Sequence, residues 1–142
     1  MSYLDHSVNI IAYQKDNINY AMCCAWSMNV DYDKLLCLLG SQSVTGKNIK
    51  KGDIIGFSSL AQNQKDIAEK IGDNHSNTTD KLKGIKYHVE DGAILIDDSL
   101  SMIKCVVIDV LHLEEIEEDN LIYLKALDAK EQDGIFLHMS DF

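Results

Sequence analysis

The chain has 142 residues and a mass of 15.9 kDa, 46% of it hydrophobic and 25% charged, enough for one domain over residues 1–142 to bury a core without disulfide or metal support. A net charge of −10 argues against bulk affinity for nucleic acid or for an anionic membrane. No apolar run approaches the length of a bilayer span and residues 1–9 lack the pattern of a signal peptide, so the expected location is the cytoplasm, with Cys23, Cys24, Cys37 and Cys105 reduced.

Residues 8–13 and 20–30 are rich in β-branched, aromatic and small side chains, and the polar stretch Gln14-Lys15-Asp16-Asn17 predicts a hairpin turn between two strands. Residues 35–39 are a short apolar run closed by Gly40, the length of a buried strand. A short helix is expected over 45–51, stopped by Gly52, and a strand over 53–59. Leu60, Gln64, Ile67, Ala68 and Ile71 recur at helical spacing with Gly72 as the stop, which predicts a helix over 61–71. A polar loop, 73–80, follows without an apolar anchor. Further strands are expected at 93–97, 102–111 and 121–128, the last two joined by the acidic turn 114–120. Two short helices in the middle, flanked by strands, describe a β-rich α+β domain, a closed or nearly closed antiparallel barrel.

Charge is unevenly placed. Every basic residue is Lys, and eight of the thirteen lie in the window 45–86 against five acids, so that window carries +3 and the remainder −13. Solvated helix faces account for such lysines, and so does convergence of a subset on a small anion such as a phosphate monoester. The segment from Gly40 to Asn48 offers three hydroxyls, two glycines and Lys47, but five residues separate Gly40 from Gly46 and Asn48 stands where a P-loop has Ser or Thr. Ser43 and Thr45 still suit either a phosphate or an ordinary helix cap. No Rossmann glycine pattern and no serine nucleophile elbow is present, and the five histidines lack metal-ligand spacing; His75, in the polar loop, stays open. Trp26 sits among small residues that suit a core tryptophan with close sheet packing around it first, and a flat ligand lying against the backbone second.

In this order the segments resemble the flavin reductase-like, FMN-binding split-barrel family, which includes flavoredoxin. The family's Asn, then Met followed by small residues and often Trp, is matched by Asn19-Tyr20-Ala21-Met22-Cys23-Cys24-Ala25-Trp26. Its Ser-rich turn with Thr is matched by Gln42-Ser43-Val44-Thr45, its Gly- and Phe-containing strand by residues 52–60, and its helix, Gly and polar loop by 61–72, His75-Ser76 and Asp80-Lys81. The similarity extends from about residue 8 to 126. Departures are Lys34-Leu35 for a Pro-Pro pair, Ser58 or Ser59 for an Asn, and Glu118-Asp119-Asn120 for Gly-Asp-His.

The resemblance implies a split barrel, a homodimer, and FMN held with its phosphate on Gln42, Ser43, Thr45 and Lys81. It implies a flavin ring lined by Met22, Cys23, Cys24, Ala25 and Trp26, with Phe57, Ser58 and Ser59 beside it and Asn19, His75 and Ser76 contributing. The implied activity is electron transfer from NAD(P)H through flavin to free flavin or another acceptor. The alternative is a flavoredoxin-like FMN carrier that exchanges electrons with a protein redox partner. A cofactor-free structural barrel is the third reading.

Overall fold

The computed structural model describes residues 3–40, 44–72, 81–116 and 119–142. Its strands are β1 (Asn9–Lys15), β2 (Ile18–Cys24), β3 (Ser27–Asp31), β4 (Lys34–Gly40), β5 (Ile54–Ser59), β6 (Tyr87–Glu90), β7 (Ala93–Ile96), β8 (Ser101–Leu111) and β9 (Asp119–Glu131). Helix α1 (Val44–Lys47) follows β4, and α2 (Lys65–Gly72) follows β5.

The β1–β2 hairpin closes on Asp16 and Asn17, both at positive φ (54° and 64°), the backbone that two-residue hairpin turns require and that Asp and Asn tolerate. β1 then carries core on both faces. Ile11 and Tyr13 enter a barrel-interior cluster with Leu39, Ile55, Ile122 and Leu124, while Ile10 and Ala12 enter an outer cluster with Leu60, Ile71, Ile94 and Ile96. Burial on both sides explains why residues 8–13 do not alternate with polar ones.

Pairing is antiparallel throughout, in the order β3-β4-β9-β8-β5-β1-β7-β6, with β2 on β1. The ladder is open, as a split barrel requires, so of the closed or nearly closed ring expected it is the latter. Among the described residues β2 pairs only with β1 and β3 only with β4, and the chain itself bridges the split at Ala25 and Trp26. The expected strand 20–30 is therefore two. Asn9 on β1 holds both sides of the break, its Nδ2 donating to the Cys24 carbonyl at 3.1 Å and to Ser27 Oγ at 2.7 Å. The Trp26 carbonyl accepts from the Leu38 amide at 2.9 Å, which hands the chain over to β4.

The helices are shorter than periodicity suggests. The first is one turn, and the second opens with a 3-10 turn over Gln62–Gln64 in which Gln64 Oε1 accepts from the Ala61 amide at 2.8 Å. Gly56 is required by close approach: a Cβ there would stand 1.9 Å from the Ile94 carbonyl oxygen, where β7 crosses β5. The last residues return to the start of the chain, with Leu137 fully buried in the outer cluster and its backbone bonded to Val8 and Leu60 at 2.8 and 3.0 Å. No helix among the described residues is long and apolar enough to cross a membrane.

Candidate functional site

Two places gather the residues singled out by sequence. The first is β2, which has a ladder partner on one side. Its Ala21 carbonyl is capped by two side chains, Thr45 Oγ1 at 3.1 Å and Lys81 Nζ at 3.0 Å. Thr45 arrives on α1, directly behind β4, and Lys81 arrives after α2, so the split of the ladder is where distant segments meet. Thr45 is buried, and Tyr13 donates to its carbonyl at 2.5 Å from inside the barrel. Lys81 is partly buried; that burial holds its ammonium below the ordinary lysine value, with nearby Cys23 opposing the shift. Among the described residues no carboxylate forms an ion pair with Lys81. A partly desolvated cation whose hydrogen-bond partner is a neutral carbonyl gains from meeting an anion.

The residues next along β2 divide between its faces. Cys24 belongs to the interior cluster and Met22 packs against it, whereas Cys23 packs on the outer cluster and donates its Sγ to the Ala68 carbonyl at 3.2 Å. Asn19, two residues before Ala21, is tied to Gln14 at 3.0 Å and to the Tyr87 hydroxyl at 3.2 Å. Ala25 and Trp26 form the break, with Trp26 half exposed.

The second place is the mouth of the barrel. Phe57 and Ser59 line an open cavity of about 760 Å³ there, together with Asn9, Ser27, Tyr32 and Phe136. Ser58 points away from it: its Oγ is buried and accepts from the Ile96 amide at 3.0 Å. Gln42, Ser43, His75 and Ser76 lie outside the described residues. The structure thus joins Thr45 and Lys81 beside Ala21, Met22 and Cys23, and joins Phe57 and Ser59 at the mouth; Asn19 and Ser58 are engaged elsewhere.

Asn9 escaped the sequence reading. It is fully buried, and besides its donor bonds to Cys24 and Ser27 its Oδ1 accepts from Ser59 Oγ at 2.6 Å, so it links β1, β2, β3 and β5. The available signal was a lone amide at the start of an otherwise apolar strand, since such a group is tolerated only when its bonds are made. Asp31, Glu131 and His138 stand at the cavity, whose lining contains no lysine. Among the described residues no group of three or more His, Cys, Asp or Glu side chains is placed to hold a metal.

The sequence matches the family model for the flavin reductase like domain over residues 1–139. Among solved structures, the chain resembles the NADH:FAD oxidoreductase SgcE6 of Streptomyces globisporus C-1027 at 14% identity and a TM-score of 0.82, over 91% of this chain and 77% of that one. It resembles flavoredoxin from Methanosarcina acetivorans at 12% identity and a TM-score of 0.80, over 94% and 72% of the two chains. For the flavin reductase PheA2 the values are 18% and 0.78, over 95% and 85%. At these identities the likeness to solved structures is one of fold. No curated protein matches the sequence significantly. The family model, running nearly the whole length of an open and mostly antiparallel split barrel, shows that the chain belongs to the flavin reductase-like domain family, a family of flavin-binding proteins.

Proposed function

We propose that residues 1–142 act as one FMN-binding oxidoreductase domain that takes a hydride from NADH or NADPH and passes electrons to free flavin or another acceptor. The observation that carries this reading is the meeting of Thr45 Oγ1 and Lys81 Nζ on one β2 carbonyl, in a chain of flavin reductase-like family. The donor set fits a phosphate. A lysine ammonium has three N–H groups, of which one accounts for the Ala21 bond, and the Thr45 hydroxyl can exchange its carbonyl for a stronger, charged acceptor. Gln42 and Ser43, immediately before α1, would complete the anion site. The stretch Met22, Cys23, Cys24, Ala25 and Trp26 would present its backbone to the ring, with Phe57 and Ser59 beside it and His75 and Ser76 at its margins, whereas Ser58 and Asn19, bonded elsewhere, have no part in it.

When bound, the flavin supplies the hydride and electron chemistry. The chain's part is to anchor the phosphate, to set the ring against the β2 backbone, and to keep the barrel side of that strand dry through Tyr13, Cys24 and Leu39, all buried. Four cysteines outside any disulfide support a reducing compartment, the cytoplasm. A homodimer is supported by the apolar face of edge strand β3, where Met28 and Val30 are exposed next to Tyr32 in the following turn. Light scattering should give about twice the 15.9 kDa chain mass, and a monomer with flavin bound would contradict it.

The test is a flavin titration of the full chain with FMN, FAD and riboflavin, followed by anaerobic addition of NADH and then NADPH. FMN should bind most tightly, and one nicotinamide should bleach the visible band of the flavin. SgcE6 is named as an FAD enzyme, so FAD preference over FMN is the outcome that would correct the cofactor. Bleaching by dithionite but by neither nicotinamide would favour an electron carrier like flavoredoxin. Failure to bind any of the three flavins would overturn the reading.

A further inference from the structure

Tyr13 lies inside the barrel, 1% exposed, with its ring stacked on Tyr20 at a centroid separation of 5.0 Å and 19° from parallel. Its hydroxyl donates to the Thr45 carbonyl at 2.5 Å, at the short end of the range for O–H···O bonds. A phenylalanine would fill the same space and keep the stack, so packing alone gives no reason for a hydroxyl in this apolar cluster. What the hydroxyl adds is a fixed Thr45. The Thr45 backbone is gripped from β1 through its carbonyl while its side chain is gripped from β2 through Ala21, so the residue is held on two sides by the two strands of one hairpin. α1 is a single turn and cannot hold that orientation by itself.

We propose that Tyr13 is a positioning residue for the phosphate subsite: from the barrel interior it fixes the Thr45 backbone so that the Thr45 hydroxyl and the Lys81 ammonium face the same phosphate. This rests on the phosphate reading above. Burial, with smaller contributions from Tyr20 and Asp53, pushes the Tyr13 phenol well above its ordinary value, so the proton that makes the bond stays in place across the working pH range.

The experiment measures FMN and riboflavin affinities on the full chain for wild type, Tyr13→Phe and Tyr20→Phe. Tyr13→Phe should lower FMN affinity roughly 3- to 10-fold, the range of a net buried hydrogen bond, and leave riboflavin affinity within about twofold. Tyr20→Phe, which keeps the stack and changes a hydroxyl that does not touch Thr45, should leave both unchanged. If Tyr13→Phe proves unstable, 4-aminophenylalanine at position 13 keeps shape and a weaker donor, and FMN preference should then fall between wild type and none. Equal affinity of wild type for the two flavins would overturn the phosphate reading itself. A wild-type preference that survives intact in the position-13 variants, or an equal loss for both flavins, would overturn the role of Tyr13 alone.

Discussion

The β2 edge and the barrel mouth lie at the middle and at the open end of the β1–β2 hairpin and differ in what they offer a ligand. At the edge a partly buried lysine and a buried threonine share one carbonyl, with no ion-paired carboxylate among the described residues. At the mouth the hydroxyls of Ser27 and Ser59 are tied to Asn9, and Asp31 and Glu131 stand on the rim. Ala21 pairs with Ala12 and Cys24 with Asn9, so the two places are three residues, roughly 10 Å, apart along the strands. One hairpin therefore carries a lysine at its middle, suited to an anion, and a saturated, acid-rimmed open end that would repel one. The open cavity at the mouth and the cation beside β2 are thus separate places, and only the second suits the phosphate proposed above.

The largest effect expected from breaking this contrast is at the mouth. Asn9→Leu removes the group that ties Cys24, Ser27 and Ser59, leaves buried partners unmatched, and should cost about 2–5 kcal/mol in urea denaturation. The ratio of FMN to riboflavin affinity should nevertheless stay as in wild type. At the edge, Lys81→Ala should weaken FMN roughly 10- to 100-fold and riboflavin hardly at all, the size of a charge-assisted bond, and should flatten the salt dependence of FMN binding. Isothermal titration at two ionic strengths reads both. Trp26→Ala, at the break between the two places, should weaken both flavins alike by about 2- to 10-fold, because ring packing ignores the phosphate.

The smallest effect is in pH. Lys81 sits below the ordinary lysine value of 10.5 because of burial, and the phosphate selects its protonated form. FMN affinity should therefore be full at neutral pH and fall as pH rises through the lowered Lys81 value, while riboflavin affinity stays flat. Stability of the flavin-free chain moves the other way. Between the lowered value and 10.5 the unfolded chain binds more protons than the folded one, so that contribution to stability rises with pH.

The β1–β2 turn was legible because Asp16 and Asn17 tolerate positive φ, and residues 8–13 announced a strand, though not that both its faces are buried. β6 was missed although Asp91 and Gly92, both at positive φ, carry a hairpin turn signal, because Tyr87, His88, Val89 and Glu90 are half exposed and read as polar. The break at Ala25 and Trp26 could not be read locally, since the residue that ties its two sides, Asn9, lies fifteen residues before Cys24. Residues 129–142 offered no pattern; 129–131 extend β9 along β8, and beyond them Phe136, Leu137 and His138 return to Ala61, to Val8 and Leu60, and to Ser7. The charge window contained both Thr45 and Lys81, but their meeting point is Ala21, 24 and 60 residues away. Spacing along the chain carries no record of that distance once a split ladder has closed it.

The most direct test of the phosphate site is the ratio of FMN to riboflavin affinity in wild type and Thr45→Ala. The account predicts a wild-type preference for FMN that drops roughly tenfold in the variant through loss of FMN affinity alone, because only FMN carries the group that the hydroxyl would contact. An equal fall for both flavins would make Thr45 a cap for α1 whose removal disturbs the whole site, and would contradict the assignment.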